Sequence, residues 1–278
     1  MGIIIDGKAL AEKRRKEVWE ERKLLADLSL GVVIATTDKV TSSYVGIKKK
    51  AAESLDIKVT EYRLPENCTE DDIIAAIKKA RIHNGIILQL PIPRGLDVDR
   101  VKNAIPHMLD VDVMSDASFA ELKRCDFLAT PPVPAAMRYV CQEYKIPLKD
   151  ANVVIVGKGR LVGRPAEVMF KCLGAKPRVL VKGDDVGFYT KKADIIVLGT
   201  GVSHLIKPDM IKEGVVILDA GASELGGQLV GDAHPDCAEK ASVFTPVPRG
   251  LGPIVVVEIF ANLIALARQY EASYASEV

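Results

Sequence analysis

The chain has 278 residues, of which 48% are hydrophobic and 27% are charged, and its formal net charge is only +1. This length suffices for one large domain or two medium ones with sizeable apolar cores. The near-zero net charge argues against a nucleic acid as the main partner, because proteins that bind phosphate backbones usually carry a basic domain or stripe. No run approaches the roughly 18 uninterrupted apolar residues of a membrane span, so no membrane partner is expected.

The N-terminal residues and the cysteines point to a cytoplasmic protein. The N-terminus becomes highly charged almost at once, unlike a signal peptide. The cysteines are scattered, odd in number and contain no C-x-x-C pair: Cys68, Cys125, Cys141, Cys172 and Cys237. Neither a disulfide framework nor a zinc site is expected, and reduced thiols are the simpler interpretation. The four histidines lack metal-ligand spacing, so no metal site is predicted.

The first half of the chain alternates β-branched runs with helical patterns. A long charged helix carrying the only tryptophan, Trp19, comes first. Further helices are predicted from about Thr41, from about Thr69 and over LDVDRVKNAI, the first two opened by residues suited to N-caps. The strand candidates are LGVVIAT (30–36), DIKVTEYRL (56–64) and NGIILQLP (84–91). Nearly all-apolar strands separated by helices predict a parallel sheet covered on both faces.

The second half repeats this alternation more sharply. A proline cluster within DFLATPPVPAAMRYVCQEYKIPLKD marks the change of domain. The strand candidates beyond it are residues 152–157, 178–182, 193–201, 214–221 and 242–250. Their succession of strand, glycine turn and helix indicates a doubly wound nucleotide-binding domain. An apolar helix, GPIVVVEIFANLIALARQY, follows and is expected to pack back on the first half.

The segment VVIVGKGRLVGRP is the most informative local motif. Gly157 and Gly159 follow an apolar strand, Gly163 comes four residues later, and Pro165 suits the first turn of a helix. Glycines let the backbone approach a pyrophosphate, whose charge is favoured by the N–H groups at the helix start. The spacing is one residue longer than the usual dinucleotide fingerprint, so a tight turn without a ligand is the alternative.

Charged residues near this loop bear on the choice between NAD and NADP. An acidic residue at the end of the next strand would bond the ribose 2′-hydroxyl of NAD, whereas basic residues accommodate the 2′-phosphate of NADP. Here the strand ends on Lys182, and Lys158 and Arg160 add positive charge from the loop. These residues predict NADP. Asp184 and Asp185 favour the opposite choice, so NAD is the alternative.

Tyr44 and Lys48 lie four residues apart in a predicted helix and therefore share one face. They can reach one substrate together, while Lys49 and Lys50 point elsewhere. From spacing alone, a lysine at such a position is more often a solvated charge. Gln89 ends an apolar strand, where open α/β sheets bind ligands, although it could simply terminate the strand.

Several uncommon segments together resemble the bifunctional methylenetetrahydrofolate dehydrogenase/methenyltetrahydrofolate cyclohydrolases, in family order and over essentially the full length. They are SSYVGIKKKAAESLDI, GIILQLPIP, LDVDV, ATPP, VVIVGKGRLVGRP, ADIIVLGTG, VVILDAG and TPVPRGLGP. The resemblance implies NAD(P)-dependent oxidation of 5,10-methylenetetrahydrofolate to the 5,10-methenyl form, then hydrolysis to 10-formyltetrahydrofolate, and the basic residues near the glycine loop predict NADP as the cofactor. It implies a two-domain α/β homodimer. The folate-binding catalytic domain would comprise residues 1–125 plus 253–278, and the Rossmann-like NAD(P)-binding domain residues 126–252.

The resemblance also carries functional residues over to this chain. The predicted catalytic residues are Tyr44, Lys48, Gln89 and Asp112. The predicted substrate contacts are these four with Leu88, Leu90, Pro248, Gly250 and Gly252. The predicted cofactor contacts are Gly157, Lys158, Gly159, Arg160, Gly163, Lys182 and Ala222. We expect Lys48 to handle protons in the hydrolysis, Tyr44 to position the folate and Asp112 to bind the pterin. Hydride transfer needs no protein acid.

Some positions depart from the family pattern. The loop Gly-Arg-Ser has become Gly157-Lys158-Gly159, which exchanges a forked guanidinium for a point charge. Val113 and Arg249 each replace a glycine. These departures bear on cofactor preference and on the relative rates of the two activities.

Two other functions fit parts of the sequence. One is a monofunctional NAD(P)-dependent methylenetetrahydrofolate dehydrogenase whose cyclohydrolase is impaired by Val113 or Arg249. The other is a nucleotide-sensing module that kept the glycine loop without chemistry, against which the intact Tyr44, Lys48, Gln89 and Asp112 set argues.

Overall fold

The computed structural model describes residues 2–275 of the chain. The chain divides into two compact units. The N-terminal unit comprises Arg14–Pro131 and the residues from Val256 onward, and the C-terminal unit comprises Pro132–Val255 and the residues up to Lys13. The sequence analysis placed the boundaries near residues 125 and 252 and assigned the first residues to the N-terminal domain. In the structure a short first strand pairs within the sheet of the C-terminal unit.

The helices and strands alternate along the chain as in α/β proteins. The strands are β1 (Ile3–Ile4), β2 (Leu28–Ile34), β3 (Ile57–Arg63), β4 (Gly85–Gln89), β5 (Asn152–Val156), β6 (Lys176–Leu180), β7 (Ile195–Leu198), β8 (Val216–Asp219), β9 (Ser223–Leu225), β10 (Gln228–Val230) and β11 (Val243–Phe244). The α-helices are α1 (Gly7–Arg22), α2 (Lys39–Glu53), α3 (Glu70–Ala80), α4 (Val98–Lys102), α5 (Asp116–Lys123), α6 (Pro132–Glu143), α7 (Gly163–Cys172), α8 (Val186–Thr190) and α9 (Leu251–Ala275). Each of the eight strand candidates overlaps one of these strands, although β2 and β6 each begin two residues before their candidates.

The N-terminal unit is built on a parallel sheet of order β3-β2-β4. Strands β2 and β4 are apolar and buried because helices cover them, and α3 shows how. Thr69 caps α3 through a reciprocal pair of hydrogen bonds with Asp72. Ile73 and Ile77, four residues apart on one helix face, are fully buried in the core beside β4. The chain crosses from β3 past β2 to β4, which creates a ligand-binding switch point at the carboxyl ends of β2 and β4.

The C-terminal helix packs on the N-terminal unit, as predicted. Arg14 Nε donates to Glu258 Oε1 at 2.7 Å, and Asn262 Nδ2 donates to the carbonyls of Val111 and Thr130 at 2.8 and 2.7 Å. By length and composition alone, Leu251–Ser273 could cross a membrane, but most of its apolar window is buried inside the protein. Such burial is typical of an apolar helix that packs in a protein core.

The C-terminal unit contains a parallel sheet of order β1-β11-β8-β7-β5-β6. The chain passes from β5 to β6 on one side and then to β7 on the other, so a second switch point lies between β5 and β7. The predicted two-domain α/β fold with parallel sheets is therefore confirmed. Strand β1 and the antiparallel hairpin β9–β10 were not foreseen.

The cysteine prediction holds for three of the five residues. Cys68, Cys141 and Cys237 are buried free thiols. Burial raises the pKa of Cys141 to about 12 and that of Cys237 to about 11. Cys125 and Cys172 are disulfide-bonded, so the prediction of reduced thiols is wrong for these two.

Both positions where the family pattern has glycine adopt left-handed backbone angles. Val113 has φ +53° and Arg249 has φ +79°. A residue with a Cβ loses roughly 1–2 kcal/mol in this region. Val113 is 5% exposed, so burial of its side chain offsets part of that cost. Arg249 is exposed and has no such compensation.

We therefore expect Arg249→Gly to raise the free energy of unfolding by about 1 kcal/mol, measured by urea denaturation. The matched control is Lys207→Gly at an exposed position with φ −114°, where added backbone freedom should lower stability by roughly 0.5–1 kcal/mol. Equal destabilisation by the two substitutions would contradict the strain at Arg249.

Candidate active site

Helix α2 carries the predicted Tyr44 and Lys48 pair. Asp38 begins the helix by accepting a hydrogen bond from the Thr41 amide at 2.8 Å. Val45 buries the neighbouring side of the helix in the core. Tyr44 is 49% exposed and Lys48, one turn further on, is half-buried. The two side chains thus share a face without being part of the core.

The lysines that follow Lys48 lie elsewhere, as the sequence indicates. Lys49 Nζ forms an ion pair with Glu61 at 2.8 Å. Lys50 is exposed. Lys48 alone of this run turns toward the carboxyl end of β4.

Lys48 contacts Gln89, the last residue of β4. Lys48 Nζ donates to Gln89 Oε1 at 2.9 Å, and Gln89 Nε2 donates to the Leu90 carbonyl at 2.8 Å. Because a backbone carbonyl can only accept, this second bond determines which end of the amide faces the lysine. Gln89 is 9% exposed and is therefore held rigidly. A neutral acceptor orients the amine without adding a negative charge beside it.

Asp112 lies in the turn that follows the pairing of Asp110 with β4. Burial raises the pKa of the Asp112 carboxyl; the nearby Lys48 charge acts in the opposite direction and Asp110 adds to the rise. Lys48 is thus close enough to stabilise the Asp112 carboxylate. The structure brings Lys48, Gln89 and Asp112 into one cluster.

Asp110 has a structural role that the sequence analysis did not specify. It is fully buried and accepts hydrogen bonds from the amides of Met114 and Ser115 at 3.1 and 2.7 Å. Asn262 holds the same turn from α9 through the Val111 carbonyl. Asn262 was missed because a polar residue in an apolar helix gives no indication of its partner.

The remaining predicted substrate contacts fall into two groups. In the N-terminal unit, Leu88 is only 1% exposed and lies in the core, and Leu90, directly after β4, is half-buried and packs against the same core. In the C-terminal unit, Pro248 and Gly250 lie in the segment leading into α9, and Gly252 lies in its first turn. A Cβ on Gly250 would lie 2.4 Å from the Pro246 carbonyl oxygen, so this turn requires glycine.

The glycine loop after β5 has the form of a nucleotide cradle. Gly157 has φ +101°, and a Cβ on Gly163 would lie 1.9 Å from the Gly157 carbonyl oxygen. These two glycines are required by the turn itself. Gly159 has neither a positive φ nor a neighbour closer than 3.8 Å to an added Cβ, so its missing side chain leaves the backbone open. Among residues 2–275 no side chain caps the start of α7, which suits a phosphate.

The aspartates after β6, which favoured NAD in the sequence, cap backbone groups instead. Asp184 accepts a hydrogen bond from the Val181 amide at 2.7 Å, and Asp185 caps α8 through the Phe188 amide at 3.0 Å. Lys182 is exposed beside them. Lys158 is exposed and Arg160 is half-buried in the loop after β5. The residues present fit a phosphorylated dinucleotide.

Ala222 is exposed after β8, next to two buried carboxylates that the sequence analysis missed, Asp219 and Asp232. They were missed because each reads as an ordinary residue after an apolar run. Within the part of the chain that the structure describes, no group of three His, Cys, Asp or Glu residues could hold a metal ion.

Two family models match this chain. Residues 5–112 match the "Tetrahydrofolate dehydrogenase/cyclohydrolase, catalytic domain", and residues 131–271 match the "Tetrahydrofolate dehydrogenase/cyclohydrolase, NAD(P)-binding domain". The chain belongs to the tetrahydrofolate dehydrogenase/cyclohydrolase family. The resemblance drawn from the sequence is thereby confirmed.

Members of the tetrahydrofolate dehydrogenase/cyclohydrolase family match nearly the whole chain. The bifunctional protein FolD of Aquifex aeolicus (strain VF5) is 35% identical over 99% of this chain and 97% of that protein. The crystal structure of the bifunctional enzyme FolD from Campylobacter jejuni has a TM-score of 0.92 at 31% identity, covering 97% of this chain and 100% of that one. The Trypanosoma brucei enzyme, complexed with NADP cofactor and inhibitor, shares the fold with a TM-score of 0.91 at 24% identity, over 97% of this chain and 98% of that one.

Proposed function

We propose that this chain oxidises 5,10-methylenetetrahydrofolate to 5,10-methenyltetrahydrofolate with NADP and hydrolyses the product to 10-formyltetrahydrofolate. The observation that carries the hydrolysis is the hydrogen bond from Lys48 Nζ to Gln89 Oε1 at 2.9 Å. A lysine on the solvated face of α2 would not reach this buried amide, which is 9% exposed. Full-length similarity to relatives named as bifunctional makes a monofunctional dehydrogenase the less favoured function.

The cluster of Lys48, Gln89 and Asp112 supports a division of roles. Lys48 handles protons as water adds to the methenyl carbon, and its position is set by Gln89. Asp112 offers its carboxyl oxygens to the amino and ring N–H groups of the pterin; burial raises its pKa, and the Lys48 charge acts against that rise. Tyr44, exposed on the same helix face, provides a ring against which the folate is positioned.

For the oxidation, NADP supplies the hydride acceptor when bound, and the chain supplies binding and alignment. The open backbone at Gly159 and the uncapped start of α7 receive the pyrophosphate. Lys182, with Lys158 and Arg160, receives the 2′-phosphate through charge-assisted hydrogen bonds.

The cytoplasmic location and the homodimer are part of the proposal. The family resemblance supports the homodimer, and the buried free thiols of Cys68, Cys141 and Cys237 support the location.

Lys48→Met should lower methenyltetrahydrofolate hydrolysis by about 100-fold or more, because the proton-handling group is lost. Binding of NADP+, measured by calorimetry, should remain within twofold of the unmodified protein. The matched control is Lys50→Met on the same helix, whose lysine is exposed and whose hydrolysis rate should be unchanged. Unchanged hydrolysis in Lys48→Met would refute the assignment.

Steady-state oxidation of methylenetetrahydrofolate with NADP+ and NAD+ side by side should show a lower KM for NADP+. Lys182→Ala should raise the KM for NADP+ about tenfold and leave that for NAD+ within twofold, since only NADP+ carries the 2′-phosphate. Lys191→Ala, at an exposed position after α8, should change neither KM. A strong preference of the unmodified chain for NAD+ would contradict the role of Lys182.

A further inference from the structure

Two carboxylates are buried at the carboxyl ends of the strands in the C-terminal unit. Asp219 ends β8 and is 1% exposed, and Asp232 follows β10 and is 0% exposed. Buried carboxylates are costly unless they are bonded, so their partners indicate what they hold in place.

Both carboxylates bind the backbone of loops. Asp232 Oδ2 accepts from the Thr200 amide at 2.6 Å and from the Thr200 hydroxyl at 2.8 Å. Asp219 Oδ1 accepts from the Gly221 amide and Oδ2 from the Ala233 amide, both at 2.8 Å. Asp232 thus holds the loop after β7, and Asp219 holds the loop after β8 together with residue 233.

The glycines beside these carboxylates leave no room for a looser arrangement. A Cβ on Gly221 would lie 2.1 Å from Asp232 Cγ, and a Cβ on Gly231 would lie 2.3 Å from Asp219 Oδ2. The loop after β8 therefore packs directly against the carboxylate that binds the loop after β7, and the residue before Asp232 packs against Asp219. The loop after β7 also packs against the glycine loop, because a Cβ on Gly157 would lie 3.0 Å from the Gly199 carbonyl oxygen.

We propose that Asp219 and Asp232 are positioning residues for the NADP-binding surface, holding the loops 199–202 and 220–222 in the shape that receives the cofactor. Both loops follow the carboxyl ends of parallel strands, where open α/β sheets bind ligands, and the first lies at the switch point between β5 and β7. Ala222, a predicted cofactor contact, is part of the second loop. Neither carboxylate is required to touch the cofactor.

The pair also makes the loops sensitive to pH. Burial raises the pKa of Asp219 to about 7. The hydrogen bonds from the Ala233 and Gly221 amides oppose this rise, and the nearby Asp232 adds to it. A protonated Asp219 accepts fewer N–H bonds, so the loop after β8 loosens as the pH falls below 7. The other titratable or charged groups around the pair are His204, His234, Asp236, Cys237 and Lys240.

The test is calorimetric titration of the full chain with NADP+ between pH 6 and 8. Asp232→Asn should raise the Kd at least tenfold, while the KM for the folate stays within twofold. Asp219→Asn, which mimics the protonated acid, should bind weakly throughout and lose the step near pH 7. Asp209→Asn, at an exposed position of the same unit, is the matched control. The 2′-phosphate titrates in every variant, so only differences between variants count.

Thr200→Val and Thr200→Ser keep the test decisive should the aspartate variants fold poorly. Valine removes the hydroxyl that donates to Asp232 and should weaken NADP+ binding, whereas serine retains the hydroxyl and should restore the affinity. Unchanged affinity in Asp232→Asn and Thr200→Val, or the same pH dependence in Asp219→Asn and the unmodified chain, would overturn the proposal.

The inference rests on the proposed function only in taking NADP+ as the ligand. Amide hydrogen exchange measured without ligand tests the positioning role independently of the proposed function. Residues 199–202 and 220–222 should exchange faster in Asp232→Asn than in Asp209→Asn. Failure of the unmodified chain to bind NADP+ would contradict the proposed function, and equal exchange would contradict the inference.

Discussion

The hydrogen bond between Lys48 and Gln89 is the contact on which the rest of the site depends. It joins the helix that follows β2 to the end of β4, across the switch point of the N-terminal sheet. The Leu90 carbonyl orients the amide, and so the lysine meets an acceptor of fixed direction and no charge. Burial raises the pKa of the neighbouring Asp112 carboxyl, which favours its neutral form, so Lys48 is left able to serve a reacting molecule.

This cluster is held in place by hydrogen bonds between buried side chains and the backbone rather than by further charged groups. Asp110 accepts from two amides in the turn that bears Asp112, and Asn262 holds the same turn from α9. The same device recurs in the C-terminal unit, where Asp219 and Asp232 bind loop amides. In both units buried polar side chains determine loop shape, while exposed side chains are left for ligands.

At the two glycine replacements, the left-handed backbone conformation is retained although it strains the new residue. Val113 and Arg249 retain the left-handed backbone that glycine would adopt freely. The turn at Arg249 is still needed, because its carbonyl accepts a hydrogen bond from the Gly7 amide at 2.8 Å. Neither replacement alters Lys48, Gln89 or Asp112, which is why neither by itself implies loss of an activity.

The sequence predicts the alternation of strands and helices, because apolar runs and N-cap residues are local signals. It also predicts the Tyr44 and Lys48 pair, because helical spacing is local. It could not show that Asp184 and Asp185 cap backbone amides, since that depends on the turn after β6. Asp232 and Asn262 act across more than thirty and a hundred residues respectively, and strand β1 is only two residues long. Such contacts leave no periodic trace in the sequence.

The central claim is that the contact of Lys48 with Gln89 serves the hydrolysis, and substitution of the acceptor tests it most directly. Methenyltetrahydrofolate hydrolysis and NADP+ affinity would be measured for Gln89→Leu, which keeps the side chain's bulk and removes its oxygen. We predict that hydrolysis falls about 100-fold or more while the Kd for NADP+ stays within twofold. Hydrolysis at the rate of the unmodified chain would contradict the account.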